Sequence, residues 1–129
     1  MSVQQYIISE LPQEAPMGVY AGDDVEFPFT IEEGDAPNFA PEDITGSTFT
    51  LRIEKKRAGT DVLVLTTAGG SIPITDAANG AFKVVFTATQ TTALMMDDPL
   101  SYDLQWINAA SKKKTLIFGD FKSLKRKPT

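Results

Sequence analysis

The 129-residue sequence contains no cysteine and no histidine. Without cysteine it has neither a disulfide framework nor a cysteine-based zinc site. Without histidine it lacks the side chain that most often serves as a general base, a pH switch or a transition-metal ligand. Any enzymatic chemistry would have to use carboxylates, and we expect no catalytic residues, no cofactor and no metal site.

Long apolar segments are also missing. The longest apolar runs are far shorter than the roughly 20 residues that cross a bilayer, so we expect no membrane partner. The first ten residues have neither the basic region nor the apolar region of a secretory signal. These features predict a protein that is cytoplasmic when it is made.

Charge is distributed unevenly along the chain. The overall net charge is −5. Residues 1–103 hold 16 acidic and five basic residues, a net charge of −11, whereas residues 104–129 hold seven basic residues and one acidic residue, a net charge of +6. Opposite patches of this kind steer association and set the register of a contact. We therefore expect head-to-tail or heterologous contacts with other proteins, in a homo-oligomer or in several copies of an assembly.

Alternation of apolar and polar residues predicts most of the strands. Three segments alternate strictly, as half-buried strands do: 25–31, 48–54 and 101–107. Because Pro28 cannot donate to a ladder, its strand lies at an edge or turns the missing N–H outward. The run 62–65 is wholly apolar and predicts a strand buried on both faces. Further strands are predicted at 71–75, at 81–87 and on both sides of Gly119 within 114–124.

Turn and helix signals connect these strands. Asn79-Gly80 is the favoured dipeptide of a type I′ turn and predicts a tight hairpin. Thr87 and Gln90 have the spacing of a capping box, which predicts a helix of one or two turns that ends before Pro99. Residues 108–112 predict the turn of a second hairpin. Seven or eight short strands with one short helix are typical of an immunoglobulin-like antiparallel β-sandwich, and this all-β fold is our prediction.

The chain divides into three predicted regions. Residues 1–21 carry prolines and glycines between short apolar clusters and form an N-terminal arm, either a frayed terminus or a docking arm that orders on a partner. Residues 22–124 form the β-sandwich domain, and residues 125–129 form a basic tail. We expect partner binding at five residues of the arm and the C-terminal segment: Tyr20, Lys122, Lys125, Arg126 and Lys127.

A series of short motifs resembles a known protein family. In chain order they are AGDD at 21–24, DITG at 43–46, IPIT at 72–75, NG at 79–80, TQT at 89–91, YDLQ at 102–105 and TLIFGDF at 115–121. From about residue 22 to residue 124, their order and spacing resemble the N-terminal domain of BppU-type phage baseplate upper proteins and related small Ig-like phage virion proteins. The resemblance implies a β-sandwich that works through protein contacts alone and brings no catalytic residues.

The resemblance also implies a function. It indicates a non-enzymatic phage virion protein, an adaptor or decoration subunit that docks on tail, baseplate or capsid and has other virion proteins as partners. The alternative is a carbohydrate-binding module for host adhesion, in which Trp106 and Tyr102 stack on sugar rings. A buried Trp106 favours the structural subunit, and an exposed Trp106 favours the sugar-binding module.

The acidic residues and the basic tail suggest three further functions: glycosidase activity, calcium binding and nucleic-acid binding. The pairs 23–24, 32–33 and 97–98 are compatible with a glycosidase, but adjacent strand residues point to opposite faces, so we favour turn caps and soluble edges. Glu32, Glu33 and Asp35 could bind calcium, but they lack the EF-hand spacing and a solvated loop is favoured. The basic run 122–127 has only Phe121 as an aromatic neighbour, which favours an acidic protein partner or a solvated tail over nucleic acid.

We predict that the fold does not depend on a metal ion. The purified protein should give a β-rich circular dichroism spectrum, and a chelator should leave its melting temperature unchanged, because apolar faces hold the sheets together. A melting temperature that falls by more than a few degrees in chelator would instead reveal a structural calcium site in the acidic loops.

Overall fold

A computed structural model describes residues 6–8, 13–33 and 40–125. Within these residues the chain forms eleven strands and one α-helix. The strands are β1 (Tyr6–Ile8), β2 (Gln13–Glu14), β3 (Met17–Tyr20), β4 (Val25–Glu33), β5 (Ala40–Pro41), β6 (Thr48–Lys55), β7 (Asp61–Thr66), β8 (Ile74–Asp76), β9 (Ala81–Phe86), β10 (Leu100–Ile107) and β11 (Lys113–Leu124). The helix α1 (Ala88–Ala93) lies between β9 and β10. The predicted all-β fold with one short helix is confirmed.

The strands form two sheets. One sheet has the order β1-β4-β9-β8, with β5 beside β4, and the other has the order β2-β11-β10-β6-β7, with β3 also beside β11. In an immunoglobulin sandwich the second, fifth and fourth strands lie in one sheet and the last, sixth and third strands lie in the other. Here β4, β9 and β8 take the places of the second, fifth and fourth strands, and β11, β10 and β6 take those of the last, sixth and third strands. This order confirms the Ig-like sandwich.

Seven of the eleven strands coincide or overlap with predicted strand segments, and the other four, β1, β2, β3 and β5, are two to four residues long. The strands at the beginning of the chain differ from the predicted antiparallel pattern. β1 pairs in parallel with β4, and both β2 and β3 pair in parallel with β11. The described part of the predicted arm therefore contributes strands to both sheets.

The core lies between the inward faces of the two sheets. Strict alternation in β10 turns four buried residues inward: Leu100, Tyr102, Leu104 and Trp106. On β6, the side chains of Phe49, Leu51 and Ile53 lie opposite three of them and are also buried. Phe49 stacks on Phe82 of the other sheet, with ring centroids 3.9 Å apart. Full burial of one such side chain contributes about 1.5–3 kcal/mol, so each of these buried residues stabilises the packing of the two sheets.

Pro28 sits inside β4, opposite Lys83 of β9. The Lys83 N–H donates to the carbonyl of Pro73 at 3.1 Å, on the side away from β4. In an antiparallel ladder, residues opposite each other either exchange both backbone bonds or neither. The pair of Pro28 and Lys83 exchanges neither, so the missing proline N–H points away from β9, as predicted.

Three local predictions are wrong. The run 62–65 does not form a strand buried on both faces, because β7 lies at the edge of its sheet and Val64 is 42% exposed. The strand predicted at 71–75 forms three residues later, at Ile74–Asp76. Asn79-Gly80 does not form a type I′ turn, since Ala77–Asn79 is a 3₁₀ turn and of the two residues only Gly80 has a positive φ, 72°.

Gly80 is required at this turn for a second reason. A Cβ atom there would lie 2.6 Å from the carbonyl oxygen of Ile31 and 2.7 Å from that of Glu42. The Asn79-Gly80 signal thus marked a tight turn with close backbone packing rather than a two-residue hairpin.

Trp106 is buried, with 4% of its surface exposed. Its indole Nε1–H donates to the Ser47 hydroxyl at 2.9 Å, and Ser47 is itself buried. The prediction of a core tryptophan is confirmed, and the polar edge of the ring is satisfied as burial requires.

We predict that Trp106→Ala lowers the free energy of unfolding by about 3 to 5 kcal/mol, because it leaves a cavity between the sheets. Ser47→Ala keeps the ring and removes only its hydrogen-bond acceptor, so it should cost less, about 1 to 3 kcal/mol. Urea unfolding followed by circular dichroism measures both values. A Trp106→Ala protein as stable as the wild type would contradict the buried position of the ring.

Candidate partner-binding surface

A buried threonine fixes the end of the sandwich at which β3, β11 and α1 meet. The Thr91 hydroxyl accepts from the Gly22 N–H at 3.0 Å and lies 2.9 Å from the Asp23 carbonyl, to which it donates. The Ser123 hydroxyl donates to the Thr91 carbonyl at 2.6 Å. Thr91 has no exposed surface. One helical residue thus ties the chain after β3 to the end of β11.

The helix itself begins as its sequence predicts. The Thr87 hydroxyl accepts from the Gln90 N–H, and the Gln90 side chain accepts from the Thr87 N–H. The capping box is therefore confirmed. Asp24 adds a third bond at the helix start, because its carboxylate accepts from the Ala88 N–H at 2.7 Å.

Four residues form an exposed surface at this end, which we call the β3–β11 patch: Tyr20, Lys122, Leu124 and Lys125. Tyr20 lies directly opposite Leu124 in the parallel pairing. The exposed fractions of these two side chains, 50% and 46%, are large for apolar residues. Three of the five predicted binding residues are thus brought together. The other two, Arg126 and Lys127, lie outside the described residues.

Sequence reasoning missed Leu124. The signal was present, since Phe121 points into the core and alternation then turns Lys122 and Leu124 outward. An outward leucine between two lysines and opposite a tyrosine combines apolar contact area with positive charge, the combination found in interaction surfaces.

A groove of about 310 Å³ adjoins the patch, between the loop 94–100 and the last residues of β11. Its floor is apolar, formed by the buried side chains of Leu94, Leu100 and Phe121. Lys122 and Leu124 line both the groove and the patch. The apolar surface of the patch therefore continues into the groove.

Ion pairs cover part of the groove rim. The Lys56 ammonium donates to the Asp120 carboxylate at 2.7 Å, and Lys55 lies 3.4 Å from Asp98. The hydrogen bond from Lys56, its positive charge and the charge of Lys122 lower the pKa of the Asp120 carboxyl. All four side chains of these pairs are largely exposed, so the pairs contribute little stability. Their acids are occupied within the chain, and among the described residues Lys122 and Lys125 form no ion pair.

The basic C-terminal segment does not form one patch. Lys112, Lys113 and Lys114 lie at or before the start of β11, whereas Lys122 and Lys125 lie near its end or beyond it. The eight residues from Lys114 to Lys122 separate the two groups by about 26 Å. Only the second group adjoins the patch. Lys114 instead places its ammonium 5.6 Å from the centre of the Trp106 ring.

The aromatic residues considered for sugar stacking face the core. Tyr102 is 3% exposed and its hydroxyl donates to the Ala15 carbonyl at 2.6 Å, while Trp106 is buried as described above. These two side chains therefore do not form an exposed platform.

The acidic residues considered for catalysis or calcium binding are scattered in the part of the chain that the structure describes. There, no three acidic side chains converge in a way that could hold a metal ion. The Glu33 side chain and Asp35, which were considered as calcium ligands, lie outside the described residues. Within the described ranges, no helix is long and apolar enough to cross a membrane.

Asp103 places a carboxylate in an unfavourable environment. It lies on the outer face of β10, opposite Arg52 of β6, and among the described residues its buried Oδ1 has no hydrogen-bond partner. Burial raises the pKa of the Asp103 carboxyl, although the positive charge of Arg52 opposes the effect.

The strand order places this chain in the class of Ig-like β-sandwiches. Its fold is similar to a solved structure, the N-terminal domain of phage TP901-1 ORF48, with a TM-score of 0.54 and 12% sequence identity over 93% of this chain and 98% of that chain. Murine CRIg gives a TM-score of 0.38 and 8% identity over 90% of this chain and 94% of that chain. No family model matches the sequence, and no curated protein matches it.

The similarity to ORF48, which is a BppU protein, confirms the predicted resemblance at the level of the fold. It covers nearly the whole of both chains.

We predict that Asp103→Asn stabilises the protein at neutral pH and that this gain disappears in acid. Because the folded state holds the Asp103 proton more tightly than the unfolded state, the contribution of this group to stability falls as pH rises from its ordinary pKa of about 3.9 towards the raised value. Asparagine does not ionise, so the variant does not lose stability in this way as pH rises. Melting temperatures of the two proteins from pH 3 to pH 7 measure the difference, and equal values at pH 7 would contradict the raised pKa.

Proposed function

We propose that this chain is a non-enzymatic structural protein of a phage particle, an adaptor or decoration subunit on tail, baseplate or capsid. The observation that carries the proposal is the similarity in fold to a phage protein domain along nearly the full length of both chains. The motif resemblance in the sequence supports it independently. A further argument is that the described acidic side chains form no group of three that could hold a metal ion for metal-assisted chemistry.

We propose that the β3–β11 patch is the docking surface. It joins an aromatic ring and a leucine side chain, both about half exposed, to lysines that make no ion pair among the described residues. Aromatic anchors with a charged rim dominate the energetics of protein interfaces. Arg126 and Lys127 follow directly in the sequence, and we include their positive charges in this proposal.

A partner that fits this patch is a protein with an apolar centre and an acidic rim. Nucleic acid fits less well, because the basic groups at the two ends of β11 are about 26 Å apart and Tyr20 is the single aromatic ring of the patch. The net charge of −5 also opposes binding to a polyanion. We therefore propose other virion proteins as partners and the phage particle as the location.

The sugar-binding alternative is not favoured by any feature of the described residues. It required Trp106 and Tyr102 to be exposed side by side, and both side chains are buried.

The proposal is tested in phage particles produced from the genome that encodes this chain. Particles purified by density gradient are analysed by quantitative mass spectrometry, and labelled antibodies against the chain locate it by electron microscopy. We expect a fixed number of copies per particle at one location. A chain absent from purified particles, yet present in the lysate, would refute the structural role.

We predict that Lys122→Glu/Lys125→Glu lowers incorporation into particles while leaving the isolated fold intact. Both side chains are exposed, and reversing them replaces attraction to an acidic rim with repulsion. The matched control is Lys112→Glu/Lys113→Glu, which makes the same change of charge at the other end of β11 and should be incorporated normally.

Salt gives a second measurement of the same contact. Wild-type subunits should be released from particles as ionic strength rises, because exposed charge contacts are screened within about 10 Å at 0.1 M salt. Normal occupancy of the Lys122→Glu/Lys125→Glu protein, with unchanged resistance to salt, would show that docking uses another surface.

A further inference from the structure

The strand β7 forms the edge of the six-stranded sheet opposite the β3–β11 patch. It pairs with β6 on its inner side, and none of the described strands lies on its outer side. Val64, in the middle of β7, is 42% exposed on the outer face of the sheet. This apolar edge takes no part in the function proposed above.

The backbone of β7 presents hydrogen-bonding groups to solvent at Val64. The Thr67 N–H donates to the Phe49 carbonyl of β6. Along an antiparallel ladder, every second residue bonds to the neighbouring strand through its backbone groups. Leu65 and Leu63 therefore bond to β6, whereas the backbone groups of Thr66 and Val64 point away from β6. The Thr66 carbonyl follows this rule, because it accepts from the N–H groups of Ser71 and Ile72 outside the ladder. Both backbone groups of Val64 therefore face outward.

The middle of this edge, residues 62–66, lacks the charge and the proline with which proteins often block strand pairing. Edge strands commonly carry lysine, proline or an inward-pointing charge. Residues 62–66 are Val-Leu-Val-Leu-Thr, with no charge and no proline. The nearest charge, Asp61, is held by Arg52 at 3.4 Å.

We propose that β7 pairs antiparallel with β7 of a second copy of this chain, about a two-fold axis at Val64. In this register Val64 exchanges both backbone bonds with Val64 of the partner subunit, and Leu63 lies opposite Leu65 of the partner subunit. Because residues 62–66 carry no charge, the middle parts of two identical edges approach without repulsion. A foreign strand would find no charge there by which it could be selected.

The pairing joins two six-stranded sheets into one continuous sheet and leaves a β3–β11 patch at each end. A single strand pair buries less area than the 1,200 Å² or so of a stable interface, so we expect weak, concentration-dependent association. The inference does not depend on the phage function, because it concerns the purified chain alone.

The test uses complementary charges at the two-fold axis. Sedimentation velocity of the wild type, at concentrations up to about 1 mM, should show a monomer–dimer equilibrium. Val64→Lys and Val64→Glu should each dimerise at least about tenfold more weakly, because the axis brings like charges together. An equimolar mixture of the two variants should dimerise again, since opposite charges then face each other.

Thr89→Lys provides the matched control. Thr89 is exposed on α1, so this variant adds the same charge away from β7 and should dimerise like the wild type. Circular dichroism and melting curves establish that the Val64 variants are folded. A monomeric wild type at the highest concentration would overturn the proposal, as would a Val64→Lys protein that dimerises normally or a mixture that stays monomeric.

Discussion

The contact between the two sheets at Phe49 and Phe82 is the interaction on which the rest of the structure depends. The two rings stack with centroids 3.9 Å apart, and Phe29 stacks on the other side of Phe82 at 5.3 Å. These rings fix which face of each sheet is inside. Once the inside is fixed, alternation sends Val64, Tyr20 and Leu124 to the outside. The surfaces that are available for contact with other proteins are thus a consequence of aromatic packing in the core.

The second constraint is polar and acts at one end of the sandwich. A short helix has too few residues to be stable by itself, and α1 depends on its capping box and on the bonds of Thr91. In return, those bonds hold the chain after β3 against the end of β11. The exposed patch is therefore carried by a rigid framework, although its residues come from segments far apart in the sequence.

Local rules predicted the local structure well. Alternation located β4, β6 and β10 to within two residues at each end, because each of these strands has one face on the core and one on solvent. The capping box predicted α1 for a similar reason, since both of its hydrogen bonds lie within four residues. The burial of Trp106 followed from its place among the inward residues of β10.

Properties that depend on distant parts of the chain were not predictable in the same way. An apolar run such as that of β7 occurs both in central strands and in edge strands, so the residues alone could not predict that Val64 is exposed. The basic C-terminal segment suggested one positive region, but the length of β11 places its lysines at two ends of the molecule. The parallel pairing of β3 with β11 left no local signal either, because no turn connects the two strands.

That pairing also has a consequence for biosynthesis. Tyr20 and Leu124 are direct neighbours in the sheet although more than a hundred residues separate them in the chain. A ribosome makes β3 about a hundred residues before the end of β11, at about 5 to 20 residues per second. The two halves of the patch therefore cannot come together until β11 has left the exit tunnel. Until then the nascent chain carries Tyr20 without its neighbour in the sheet.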